Sequence, residues 1–106
     1  PIGTLYGIMN NGTTNYSPLL SDVNSIIVMS ATTSNTVNIA SGTGFPVGST
    51  LNIVQYGTGS TTIVGNGVTI VSTGATPTIP KIRVQYGSAT AICIATNIWL
   101  VAGDIA

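Results

Sequence analysis

The chain has almost no charge, which narrows the range of partners it can recognise. Its 106 residues include two basic and two acidic side chains and no His, and the formal net charge is zero. A soluble domain normally has about a quarter of its residues charged. Without a Lys/Arg cluster, the chain lacks both the counterion-release term of nucleic-acid binding and a basic face for anionic lipid. We therefore expect neither nucleic acid nor membrane as a partner.

The same shortage removes the side chains on which most catalytic and metal sites depend. General acid–base catalysis needs a His or a tuned carboxylate, and the only carboxylate side chains are Asp22 and Asp104. A Ser or Thr hydroxyl without a neighbouring base is a poor nucleophile. Asp22-Val23-Asn24 resembles the start of a calcium loop, but Thr33 occupies the position of the bidentate Glu. We expect no enzymatic activity, no metal and no cofactor.

Disulfides and membrane-spanning helices are also missing from the sequence pattern. Cys93 is the only cysteine and alternates with Ile92 and Ile94, which predicts a small buried side chain. The longest run of large apolar residues, at 26–29, is far shorter than the roughly 20 residues that span a bilayer. The first residues show no targeting pattern, and a chain that opens with Pro1 is typical of a mature form after initiator removal.

Short strand patterns fill the chain instead, and helical periodicity is absent. Runs rich in Ile, Val and Thr recur at intervals of about ten residues, separated by clusters of Gly, Pro, Asn and Ser. This rhythm predicts an all-β fold, an antiparallel β-sandwich or jelly roll with an N-terminal arm. We assign 1–22 to an N-terminal strand and arm and 23–106 to the sandwich domain. The predicted strands lie near 4–9, 25–30, 35–40, 49–56, 60–65, 68–73, 80–86, 89–95 and 98–102.

Two local features predict turns within this pattern. Asn66-Gly67 suits a two-residue type I′ turn that would pair Ile63 with Ile70 in a hairpin. Val-Gln-Tyr-Gly occurs at 54–57 and again at 84–87. Two copies are too few for a solenoid, which usually needs at least about three repeats, so we interpret the repeat as a shared turn device.

The end of the chain, 81–102, predicts a three-stranded antiparallel meander with turns at 87–88 and 96–97. One face of this meander is predicted to pack on the core. The other face, which would normally be polar, is unusually apolar, and an apolar patch of this kind is typical of an interaction surface. Another subunit, a different protein or the N-terminal segment with Leu5, Ile8 and Met9 could cover it. The predicted core face holds Ile82, Val84, Tyr86, Ala89, Ala91, Cys93, Ala95, Ile98, Leu100 and Ala102, and the opposite face holds Ile92, Ile94, Trp99 and Val101.

The aromatic side chains are considered as a possible sugar-stacking platform. In the predicted strands their positions scatter, and Tyr86 and Trp99 point to opposite faces of the meander. Core or interface packing is therefore favoured over a shared platform.

Two segments near the end resemble a known group of proteins. Gln85-Tyr86-Gly87-Ser88-Ala89-Thr90-Ala91 and Asn97-Ile98-Trp99-Leu100-Val101-Ala102-Gly103-Asp104 are similar to the closing hairpin of many phage tail-fibre and head-decoration proteins. The resemblance covers about a fifth of the chain. It implies β-sandwich or jelly-roll modules that commonly assemble as trimers and have no catalytic activity.

Size selects among the members of this group, since a tail fibre is normally long and has several modules. A single domain favours a head decoration, or cement, protein that forms a homotrimer and binds the major capsid protein on the outer surface of the virion head. The alternative is a receptor- or glycan-binding tip that holds its ligand with loops 41–48, 57–60 and 73–79. The predicted protomer or capsid interface consists of Ile92, Ile94, Trp99, Val101, Leu5, Tyr6, Tyr16, Leu19 and Leu20.

Overall fold

The computed structural model describes residues 8–11, 14–23, 25–74 and 76–106. Within these ranges the protein is built of β-strands and two short 3-10 turns, Leu20–Asp22 and Ser41–Thr43, which confirms the all-β prediction. The strands are β1 Ile8–Asn11, β2 Asn15–Tyr16, β3 Ile26–Met29, β4 Asn35–Ala40, β5 Thr50–Gln55, β6 Thr61–Asn66, β7 Thr69–Ser72, β8 Ser88–Ala95 and β9 Ile98–Gly103.

The first six strands alternate between two sheets, so the chain coils. Strands β1, β3 and β5 lie side by side in a six-stranded sheet, and β2, β4 and β6 form a three-stranded sheet. Within each sheet these neighbours pair in parallel. The predicted antiparallel connectivity is wrong for this half of the molecule, and the repeating coil that we had rejected is present. The strand in the opposite sheet provides the crossover that a parallel pair requires.

The second half of the chain completes the six-stranded sheet. Its strand order is β1-β3-β5-β8-β9-β7, where β8 is antiparallel to both β5 and β9, and β7 is parallel to β9. The predicted strand at 80–86 is reduced to isolated bridges of Lys81 with Thr62 and of Ile82 with Ile105. The predicted meander therefore keeps only its last two strands, because β5 takes the place of the first.

The Asn66-Gly67 prediction is right that the chain changes direction here and wrong about both the type I′ turn and the hairpin. A type I′ turn needs a positive φ at both central residues, but only Gly67 has one, of 79°, and Asn66 is the last residue of β6. Ile63, however, pairs with Val37 in the three-stranded sheet, and Ile70 pairs with Trp99 in the six-stranded sheet. The chain therefore crosses from one sheet to the other near Gly67. As a result, Ile63 and Ile70 enter the common core from opposite sides.

A β-bulge reverses the predicted faces of β9. Ala95 pairs with Ile98 as the two-residue turn requires, but the register then shifts, so that Cys93 instead of Ile94 pairs with Trp99. A one-residue shift moves every following side chain to the other face of the sheet. Residues 99 and 101 consequently point into the core, and residues 98, 100 and 102, predicted as core, lie on the outer side or its rim.

One core lies between the two sheets and includes inward side chains from both. The described part of the predicted N-terminal arm contributes β1 and β2 to these sheets, so it forms the first coil of the stack instead of standing apart. The buried apolar cluster consists of Ile27, Met29, Val37, Ile39, Leu51, Ile53, Ile63, Ile70, Ile82, Ala89, Ala91, Cys93, Trp99 and Val101.

Candidate functional site

The outer side of the six-stranded sheet carries an apolar surface at its β8-β9-β7 end. Ile92 lies opposite Leu100, which lies opposite Val71, so three large side chains form one row across the strands. Ile94, at the bulge in β8, and Ile98, two residues before Leu100 in β9, lie beside this row on the same side of the sheet. Ile94 is 49% exposed, and Ile98 and Val71 are each 37% exposed. We call Val71, Ile92, Ile94, Ile98 and Leu100 the outer apolar face.

No charged residue lies on the strands that form this face. Asp22, Lys81, Arg83 and Asp104 are all outside β7, β8 and β9. Arg83 is bound to Asp104, with Nε 2.6 Å from Oδ1. The hydrogen bond from Arg83 lowers the pKa of the Asp104 carboxyl, and the same bond raises the pKa of Arg83. The face therefore offers apolar contact and no ionic partner.

The outer side of the three-stranded sheet is different in chemistry. It presents Thr and Asn side chains along β2, β4 and β6, and the first rows are joined by hydrogen bonds. Thr36 Oγ1 donates to Asn15 Oδ1 at 3.0 Å, and the Asn38 amide donates to the same oxygen. The polar groups of Asn15, Thr36 and Asn38 are thus bound to one another on this side of the protein.

Two predicted interface residues belong to the core and not to the surface. Trp99 and Val101 are each 1% exposed within the single chain. The indole ring packs edge-on against Phe45, with ring centroids 5.2 Å apart and an interplanar angle of 86°. Their prediction as outer-face residues is wrong because the bulge in β8 had no signal in the sequence pattern. Ile92 and Ile94 do lie on the outer side, and their contact with a partner stays a prediction.

The predicted interface residues of the N-terminal region have several environments. Leu5 and Tyr6 lie outside the described residues. Leu19 and Leu20, at the first 3-10 turn, are 57% and 52% exposed. Tyr16 is half-buried against the core and donates its phenol proton to Oδ2 of Asp22. Burial and this bond raise the pKa of Tyr16 to about 12. Tyr16 thus has a structural partner, whereas the two leucines are free to contact another molecule.

A shallow cleft of about 300 Å³ opens beside the Phe45–Trp99 pair. Its wall includes Cys93, which is buried and whose thiol lies 3.2 Å from the carbonyl oxygen of Ala95. Ser41, Thr96 and Asn97 line the rim. The cysteine is the small buried side chain that its alternation with isoleucine predicts.

The loops assigned to the alternative glycan-binding function serve different structural purposes. Loop 57–60 stacks on the preceding coil, since Gly57 N donates to Met29 O and Gly59 N to Ala31 O. Loop 41–48 is held to β8 by Gly48 N, which donates to Cys93 O at 2.7 Å. In loop 73–79 the turn is closed by Thr76 Oγ1, which donates to Ile79 O. The first two loops are therefore anchored to different parts of the fold, and the third is closed by a bond within itself.

Sequence reasoning missed a pair of exposed tyrosines. Tyr56 and Tyr86, the third residues of the two Val-Gln-Tyr-Gly segments, lie with their ring centroids 5.8 Å apart and their planes at 69°. They are 57% and 69% exposed. The repeat at thirty residues' distance was the available signal, since both copies share the tyrosine.

Chemically, the described part of the chain offers contact surfaces. It contains no group of three or more His, Cys, Asp or Glu side chains that could hold a metal ion. Nor does any helix in the described ranges have the length and apolar character to cross a membrane. Neither known protein families, nor curated proteins, nor solved structures give a match to this chain.

Proposed function

We propose that this chain is a non-catalytic structural protein of a phage virion. It decorates the outer surface of the head, where it binds the major capsid protein lattice as a homotrimer. The observation that carries this proposal is the outer apolar face, an uncharged patch of large side chains in a chain with very little charge elsewhere. Contiguous exposed patches of this kind are typical of protein–protein contact sites.

Burial of the outer apolar face supplies the driving force for attachment. Removal of apolar surface from water contributes roughly 25 cal/mol per Å², and association is the way to bury side chains such as Ile94 and Ile98. Because the face has no charge, ionic screening has little to act on. We therefore expect the attachment to persist at high salt and to stabilise the shell by adding buried area between its subunits.

The sequence resemblance and the apolar face coincide in the chain. The segment 97–104 that is similar to phage tail-fibre and head-decoration proteins forms β9, and β9 provides Ile98 and Leu100 to the face. The same strand holds Trp99 in the core, so one segment both completes the fold and presents the surface. This supports a role in which the closing hairpin of the domain makes the contact.

The test is the mass of the purified chain in solution, together with its copurification with intact virions and its co-sedimentation with empty phage capsids. We expect a trimer that pellets with capsids at both low and high salt. The variants Ile94→Lys and Ile98→Lys, which place a charge on the outer apolar face, should lose capsid binding.

Asn66→Lys is the matched control, because it adds the same charge at an exposed position of the three-stranded sheet. It should pellet like the unchanged chain. A monomer that does not pellet with capsids would overturn the proposal. So would capsid binding that Ile94→Lys and Asn66→Lys leave equally intact.

A further inference from the structure

The two Val-Gln-Tyr-Gly segments meet at one place on the surface. Tyr56 follows the end of β5, and Tyr86 lies just before β8, the antiparallel neighbour of β5. Their rings make an edge-to-face pair with centroids 5.8 Å apart, and more than half of each residue is exposed. Aromatic pairs of this kind are usually buried in a core or an interface. This pair is instead exposed, so its ring surface is available for a ligand.

The backbone holds the pair in a fixed arrangement. Tyr86 N donates to Gln55 O at 2.6 Å, and Gln55 N donates to Gly87 O at 3.0 Å. The side-chain amide of Gln85 donates to Tyr56 O at 3.1 Å. Tyr56 N is itself bonded to Met29 O at 2.9 Å in the neighbouring coil. The two rings are thus attached to a rigid part of the sheet, which reduces the entropy lost when a ligand binds.

Tyr86 has a backbone conformation that its side chain does not favour. Its φ is 70°, in the left-handed region that is strained for a residue with a Cβ. Glycine would relieve this strain, and Gly87 is the next residue in the chain. The strain places the phenol ring against Tyr56. A purely structural turn has no need of an exposed aromatic side chain at that position.

The charges nearest the rings neutralise each other. Asp104 lies close to this turn, since its Oδ2 would be 3.3 Å from a Cβ added at Gly87. Gln85, next to Tyr86, supplies a side-chain amide, and Val84 is 45% exposed. Arg83, the charged residue nearest in sequence, is already bound to Asp104 through Nε and a second nitrogen, 2.6 Å and 3.1 Å from the carboxylate oxygens. A ligand for this surface would have an apolar face for the rings, several hydroxyl groups and no charge.

We propose that Tyr56 and Tyr86 form a stacking site for a neutral sugar ring of a glycan. One phenol ring stacks on the apolar face of the sugar, and the second, at 69° to it, borders its edge. The phenol hydroxyls and the side-chain oxygen of Gln85, whose nitrogen is bound to Tyr56 O, bind sugar hydroxyls. This activity goes beyond the structural role, because a decoration protein that binds sugar would attach the virion to glycan-bearing surfaces.

The site is separated from the outer apolar face, so both can be occupied. The row that contains Ile92 crosses β5 at Thr50, whereas Tyr56 follows the opposite end of that strand. At about 3.3 Å per residue this corresponds to a distance of roughly 20 Å. Both surfaces are on the outer side of the six-stranded sheet, and they share no residue.

The experiment is a titration of the full chain with neutral sugars, namely glucose, galactose, N-acetylglucosamine and their short oligosaccharides, followed by the ring resonances of the tyrosines in NMR spectra. We expect at least one of these sugars to shift the resonances of Tyr56 and Tyr86 and to leave those of Tyr16 unchanged. Tyr56→Ala and Tyr86→Ala should each weaken binding by about tenfold, because stacking on an aromatic ring contributes on the order of 1 kcal/mol.

Tyr56→Trp serves as the conservative variant, and it should retain binding because the stacking surface remains. Leu20→Ala, a truncation at an exposed site elsewhere, is the matched control and should bind like the unchanged chain. Unaltered fluorescence of the buried Trp99 verifies that each alanine variant is folded, and an unaltered circular dichroism spectrum verifies it for Tyr56→Trp. If none of these sugars shifts either tyrosine, or if Tyr56→Ala and Tyr86→Ala bind as well as the unchanged chain, the proposal is overturned. Binding of a proline-rich peptide in place of sugar would also overturn it. Failure of capsid binding would leave this result unaffected.

Discussion

Thr61 donates its hydroxyl proton to Oδ1 of Asn35 at 2.5 Å, and the two residues are in register on neighbouring parallel strands. Both are buried, at 0% and 2% exposure. The amide of Asn35 donates to Thr33 O at 3.0 Å and to Gly59 O at 3.3 Å. This bond therefore joins successive coils inside the protein, where water cannot replace it.

Removal of the Thr61 hydroxyl should destabilise the fold. Thr61→Val keeps the shape of the side chain but leaves Oδ1 of Asn35 without this donor, and a buried unsatisfied polar atom costs about 1–3 kcal/mol. The free energy of unfolding, measured by urea denaturation, should fall by that amount. Thr62→Val is the control on the outer side of the same strand, and it should change stability by less than about 0.5 kcal/mol. Equal stability of the two variants would contradict the role of this bond.

Gly59 should not tolerate a side chain, because successive coils touch at this turn. A Cβ at position 59 would lie 1.9 Å from the carbonyl oxygen of Thr33, a backbone atom that cannot move independently. Gly59→Ala should lower the unfolding free energy by about 3 kcal/mol or more, since overpacking must displace the chain. The measurement is the denaturation midpoint.

Gly42→Ala is the control for Gly59→Ala, because a Cβ there has nothing within 4 Å. It should leave the midpoint nearly unchanged. A fully stable Gly59→Ala would show that the coils are not in contact at this turn.

Burial of the Tyr16 phenol, together with its bond to Asp22, makes stability fall at high pH. The pKa of Tyr16 is raised from 10.0 to about 12 in the folded chain. The folded state thus holds the phenol proton more tightly than the unfolded state does. The contribution of the protonated Tyr16 phenol to the free energy of unfolding is complete below pH 10. It is lost as the pH rises through about 12. Urea denaturation at a series of pH values should show this loss.

Tyr16→Phe has no phenol proton, so this contribution is absent from it. The unchanged chain should be more stable than the variant below pH 10, and the difference should shrink as the pH approaches 12. A difference that stays constant over this range would mean that Tyr16 does not lose its proton in the folded state at a shifted pKa.

Trp99 should be shielded from solvent in every assembly state, because a single chain buries it to 1% exposure. Its emission should be blue-shifted and weakly quenched by acrylamide, independent of protein concentration. Ile94→Trp in a Trp99→Phe background moves the indole to the outer apolar face. There, quenching should be strong in a dilute chain and weaker when a partner covers the face. Strong quenching of Trp99 itself would contradict the bulged register of β8 and β9.

Register and face could be predicted only where the sequence pattern had no irregularity. Alternation alone correctly placed Ile92, Ile94 and Cys93, because β8 is regular up to the bulge. The bulge between Cys93 and Ala95 has no marker such as Gly or Pro, and it exchanges the faces of Trp99 and Val101. The tyrosine pair was missed for a related reason, since an antiparallel contact between two distant segments cannot be inferred from either segment alone.

The coiled arrangement was equally hidden. Parallel and antiparallel strands at a two-layer core have the same alternation of apolar and polar residues, so Val37, Ile39 and Ile63 predict burial without a partner. The coils also differ in length, since strand partners run from Ile8 to Ile26 in one step and from Ile26 to Asn52 in the next. Without a constant period, the repeat is not visible in the sequence.

Composition and alternation by themselves determined that the protein is all-β, that it has very few ionisable groups, and that Ile82, Ala89, Ala91 and Cys93 of the predicted core face are buried. These properties follow from local chemistry, because a side chain's polarity and its position in a strand do not depend on distant residues. The same prediction of the core face is wrong for Val84 and Tyr86, which are exposed because the segment before Gly87 is not a strand of the sheet. Tertiary structure alone decided the order and direction of the strands, the side of the sheet on which Trp99 lies, and the meeting of Tyr56 with Tyr86. Those features depend on contacts between residues far apart in the chain. Many different strand pairings fit the same local pattern of apolar and polar residues, so the pattern does not select among them.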